Sequence, residues 1–213
     1  SAVEEFQKVI QINPDLQNTP FDYPMTKDTP DTVSKFVAEF EDCIDLINEF
    51  PGAHEVLGFS SVQLGRLGDA LNAYKNVVKL KRTDGKETLS GIDQAIQEYE
   101  DILQLQPNCA EASVKLACAR GEKGMLDMSI AAIQKAISLE PDRLDARVYL
   151  ACFYAKKRML NEAVQALGEA KEIRDNLLEN LITESERSLS SCRFDTAIAV
   201  AQDAIKLSPG NKK

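Results

Sequence analysis

The chain has 213 residues, 44% of them apolar and 28% charged, enough for one ordinary domain or one elongated array with a sizeable core. No apolar run is long enough to span a bilayer, and the opening SAVEEFQKVI lacks the basic-then-apolar pattern of a secretory leader. The net charge of −9 is uneven: residues 1–50 hold eleven Asp/Glu against three Lys/Arg, residues 51–213 hold 23 against 22, and so acidic a chain should repel a phosphate backbone.

In chain order, SAVEEFQKVIQINP reads as a lone helix, with Phe6 and Val9 on its apolar face and Pro14 at its end. Residues 15–31 form an acidic linker in which Pro20, Pro24 and Pro30 forbid a continuous helix. The following TVSKFVAEFEDCIDLINEF has helical apolar spacing throughout. Residues 51–84 then read as a helix hairpin, turning at the glycines of LGRLGDALNAY. Residues 85–109 contain one good amphipathic helix, from Ile92 to Leu105, but upstream of it RTDGKETLSG has too few apolar residues for a partner. Hairpins return at 110–143, 144–177 and, in a more divergent form, 178–213.

The last three hairpins share a register. Ser129, Ala163 and Ala197 are 34 residues apart, as are Ala136, Ala170 and Ala204, and Leu116-Ala117 is matched by Leu150-Ala151. Small side chains at fixed positions let two antiparallel helices, A and B, approach closely. Larger ones such as Ile133 and Leu167 fill the seam between hairpins. Pro141 and Pro209 close helix B, with Asp175 at the intervening position. Ala70 and Ala95 hold the same position but lie 25 apart, nine short of the period. The segment 84–92 is therefore either a helix A that has been lost or a junction where residues are missing. Ala2 lies 68 residues, two periods, before Ala70, so the lattice reaches the first residue. A chain that starts halfway through a hairpin is expected to be part of a longer array.

Paired helices at a period of 34 resemble the tetratricopeptide repeat family. The resemblance implies an all-α, right-handed superhelical array of antiparallel helix hairpins. It also implies a concave groove lined by positions 2, 5, 9 and 12 of each helix A. In the first hairpin those positions include Glu55, Phe59 and Val62, beside Gly52. In the second they include Glu111, Val114 and Cys118, and in the third Asp145, Val148, Cys152 and Ala155. The last hairpin offers Glu179, Ile182 and Glu186. This is an apolar floor with an acidic rim, suited to a helical or extended segment of another protein with apolar anchors and basic residues. The Lys/Asn/Arg clamp by which one class of the family holds a terminal carboxylate is not matched, because Glu, Asp, Val and Cys stand there.

Nothing in the chain points to chemistry. The one histidine, His54, is expected to be a partly buried or surface side chain, and no nucleophile elbow, zincin, P-loop or dinucleotide motif is present. Acidic runs such as EFEDCIDLINE lack the spacing a calcium loop needs, so no metal or cofactor is expected. Cys43, Cys109, Cys118, Cys152 and Cys192 are odd in number and widely spaced, which fits reduced thiols in the cytoplasm or nucleus. The reading is a non-catalytic protein–protein interaction scaffold, a subunit or fragment of a larger hetero-complex. Two alternatives stay open: a co-chaperone or peptide-receptor adaptor without the clamp, and the regulatory array of an enzyme whose catalytic domain lies outside this chain.

Overall fold

The computed structural model describes residues 29–83 and 89–207. The expected lone helix at 1–14, most of the proline-rich linker, the core of the 84–92 break and Pro209 lie outside them. Among the described residues the chain is all-α, with nine α-helices, one 3-10 turn and no strand. Two compact units divide between Leu167 and Gly168.

In the first unit, α1 (Pro30–Glu41) starts at a threonine cap, with Thr29 Oγ1 accepting from the Thr32 N–H at 3.3 Å and Pro30 in the first turn. Val33, Phe36, Val37 and Phe40 form its buried face. The apolar spacing predicted one helix to Phe50, but α1 stops at Glu41 and only the short 3-10 turn η1 (Ile44–Ile47) follows. Glu39, Glu41, Asp42 and Asp45 crowd negative charge where the helix dipole is already negative, which disfavours continuation.

The hairpin α2 (Pro51–Gln63) and α3 (Leu67–Thr83) comes next. It closes where Gly58 faces Tyr74: a Cβ there would lie 2.9 Å from the ring. Beyond it, α4 (Leu89–Leu105) packs on α5 (Ala110–Glu122), α5 on α6 (Leu126–Leu139), and α6 on α7 (Leu144–Lys156). Chain order does not govern the remaining contact: α2 and η1 pack on α7.

The last helices are α8 (Leu160–Ser190) and α9 (Phe194–Leu207). Here the sequence reading is corrected. A turn was expected between helix B of 144–177 and helix A of 178–213, yet α8 is a single helix of 31 residues running through it. The position that holds Pro141 one period earlier holds Asp175, which keeps its N–H and does not clash with the preceding turn. Within the second unit, the helix ending at Ser190 pairs with α9: Ser188 and Ala197 are buried, and Ser185 Oγ donates to the Ala197 carbonyl at 3.3 Å.

The repeat register is visible in the backbone. At four turns between paired helices one residue has positive φ: Gly65 (72°), Gly124 (75°), Arg158 (64°) and Cys192 (55°). The last three are 34 residues apart. Each turn is tied in the same way. The N–H of Gly65, Gly124, Arg158 and Cys192 donates three residues back, and the next N–H donates five back, as from Met125 to Arg120 and from Arg193 to Ser188. The small residues recur as expected, with Ala70, Ser129, Ala163, Ala197, Ala136 and Ala170 all buried. Ala95 is only half-buried, because α4 has no helix A of its own among the described residues, and Ala204 is half-buried too.

A second periodic contact was not anticipated. Lys123 at the end of α5 donates to Asp93 at the start of α4, and 34 residues on Lys157 donates to Asp127 at the start of α6. Each lysine ends a helix A and reaches the helix B before it. The bridge thus relates α5 to α4 as it relates α7 to α6.

Candidate functional site

The expected groove residues of the first unit do not form one open surface. Val114, Val148 and Cys152 are buried at 2%, 0% and 0% exposure, so they are floor under other side chains and not themselves accessible. Val62 packs inside its own hairpin, against the cluster of Ala70, Tyr74 and Val77. Cys118 and Ala155 are half-buried. Glu111 remains exposed at the start of α5. Asp145 is half-buried and already held by Arg143, whose Nε lies 2.9 Å from its Oδ1. In the second unit Glu179 and Glu186 are exposed, and Ile182 is 54% exposed.

What covers the floor is the chain itself. Phe50, the residue before α2, is 6% exposed and stands edge-on to the rings of Tyr149 (5.4 Å between centroids) and Phe153 (5.8 Å) on α7. Tyr149 and Phe153 are one turn apart and stack at 6.4 Å. The Lys156 ammonium lies 5.6 Å from the Phe50 ring centroid, a cation–π contact. Gly52 makes the approach sterically feasible, since a Cβ there would lie 2.6 Å from the Phe50 ring and 2.7 Å from Lys156 Nζ. On the other side of α7, a Cβ on Gly121 would strike Phe153, so α5 also meets α7 at a glycine.

Two of the expected groove residues of α2 are engaged in the same contact. Glu55 accepts from Lys156 at 3.1 Å and from Lys81 at 2.9 Å. Burial alone would push its carboxyl up, but the two ammonium groups outweigh that and hold it below the usual carboxylate range. Burial alone would push Lys156 down, but Glu55 together with Cys152 and Glu122 outweighs that and leaves the ammonium more firmly protonated. The Arg158 guanidinium lies 5.4 Å from the Phe59 ring centroid. The basic run YAKKR at 154–158 lies at the end of its helix, where the dipole alone would favour positive charge. The structure gives Lys156, Lys157 and Arg158 each a separate tertiary partner.

Two thiols, Cys118 on α5 and Cys152 on α7, are held toward the protonated form by burial. Burial pushes Cys152 up to about 12, with Lys156 opposing. Burial likewise pushes Cys118 up to about 12, and the Tyr149 hydroxyl that donates to its sulfur opposes this. All five cysteines are free thiols. His54 is buried, and its Nε2 donates to the Asn48 carbonyl at 2.8 Å, which accounts for it structurally. Among the described residues no group of His, Cys, Asp and Glu could hold a metal ion, and no helix is long and apolar enough to cross a membrane.

Sequence reasoning missed Phe50, Tyr149, Phe153 and Lys156. The available signal was the Tyr149–Phe153 pair, two rings one turn apart where the preceding helix A has Lys115 and Ala119. Residues 110–143, the α5–α6 hairpin with its closing turn, match the tetratricopeptide repeat family. A comparison with curated proteins found no match.

Proposed function

We propose, from the premise that residues 110–143 are a tetratricopeptide repeat, that this chain is a non-catalytic scaffold that holds a segment of another protein and works within a larger assembly. Repeats of this family are protein–protein interaction modules, and a stack of hairpins offers side chains from several helices to one ligand. The observation that carries the reading is the recurrence of one hairpin unit, with the same tied turn at Gly124, Arg158 and Cys192 and the same lysine–aspartate bridge from α5 and α7. That construction builds a surface to which several helices contribute.

The rim is best tested at Glu111, because Arg143 already neutralises Asp145. Partners would be captured from extract by the full chain and identified by mass spectrometry. Glu111→Lys is expected to reduce capture of a basic partner several-fold with the helical signal unchanged. Equal capture by both forms would move the interface away from the α5–α7 rim.

A further inference from the structure

The contact between η1–α2 and α7 has the form of a ligand in its site. An aromatic side chain at a helix N-terminus stands edge-on to Tyr149 and Phe153, which flank the fully buried Cys152 in the sequence of α7. Five residues on, a carboxylate meets the cation of the same helix, Glu55 on Lys156. The two sides are about a hundred residues apart in sequence, and each has its own packing: Tyr74 with Ala70 and Val77 on the α2–α3 side, Ile133 and Ala136 on α6 beside α7.

We propose that the Tyr149–Phe153–Lys156 face of α7 is a docking surface for a helix N-terminus of another protein that carries an aromatic residue and, five positions on, a carboxylate. Phe50 and Glu55 are its intramolecular occupant. The inference rests on the reading of the chain as a protein-binding scaffold and deepens it. The choice of an acidic partner follows from Lys156. Its ammonium has side-chain exposure of only 17% and is paired with Glu55, so an incoming segment without a carboxylate would strand a poorly hydrated charge. Gly52 makes the same demand on shape, since the face admits the helix only where its first turn carries no side chain toward Lys156.

The test uses the full chain and a fluorescein-labelled peptide of residues 44–63. A tethered occupant competes at high effective concentration, so freeing the face with Phe50→Ala and Glu55→Gln should tighten peptide binding by about tenfold or more over the unaltered chain. Phe50→Ala within the peptide, or Lys156→Glu in the chain, should abolish that gain. Site-resolved alkylation of Cys152 should rise by about tenfold in Phe50→Ala while that of exposed Cys192 stays constant. Should Phe50→Ala fail to fold, Gly52→Val, whose side chain would strike the Phe50 ring and Lys156, separates the surfaces while leaving Tyr149 and Phe153 unaltered. Equal peptide affinity for both forms, unchanged Cys152 labelling, or loss of the cooperative melt in both variants would each show a fixed core contact and overturn the proposal. Failure of the peptide leaves partner capture at the rim untouched, and failure of capture leaves the peptide result standing.

Discussion

The hairpin 110–139 and the hairpin 178–207 have the same register and the same tied turn, yet only the first is bounded on both sides. Pro107 precedes the first and Pro141 follows it, so α5 and α6 are separate helices of 13 and 14 residues. The second is entered through Asp175, and its helix A is the distal half of the 31-residue α8. The difference extends to packing. Ala117, Ser129 and Ala136 are 0% exposed in the first, whereas Phe194, Ile198 and Ile205 of α9 are more than half exposed in the second. A repeat register thus sets where small residues fall, and the punctuation between repeats sets whether a hairpin is a separate unit.

The largest way to break the comparison is Asp175→Pro. If α8 is continuous, proline removes a backbone hydrogen bond and clashes with the preceding turn, costing about 3 kcal/mol or more in thermal unfolding. A change near zero would show a repeat-type turn at that position. Next, Ala136→Trp should destabilise by about 1–3 kcal/mol through overpacking, and Ala204→Trp, at the equivalent but half-buried position, by clearly less. Equal losses would mean the two hairpins are equally packed. The turns give a smaller contrast of opposite sign. Cys192→Gly relieves a left-handed non-glycine residue and should stabilise by about 1 kcal/mol, while Gly124→Ala should cost a similar amount.

The smallest expected effect is in pH dependence. The carboxyl of Glu55 sits below its ordinary range in the fold, so its stabilisation is present above the unfolded value and is lost as pH falls through the folded one. The melting difference between the unaltered chain and Glu55→Gln should therefore be full at pH 6 and shrink below about pH 4.

Much of this molecule is legible in its residues. The spacing of Ser129, Ala163 and Ala197 located the helix contacts, and the glycines at 65 and 124 located two turns. Arg158 and Cys192 hid the other two, because there the hydrogen bonds that tie the turn to the preceding helix hold non-glycine residues in the left-handed region. The groove positions were placed by analogy to an open array. Glu55 and Phe59 do lie on one face of α2, but that face is turned to Lys156 and Arg158 of the same chain.

The sequence alone determined the all-helical class, the 34-residue rhythm and the close helix pairs, because these follow from side-chain size and hydrogen bonding within a few turns of chain. Only the tertiary structure decided that Phe50 covers α7, since no local spacing encodes a contact between residues about a hundred positions apart. The fusion of two helices at Asp175 lies between these cases: the missing proline permits it, and only the structure shows one helix running from Leu160 to Ser190.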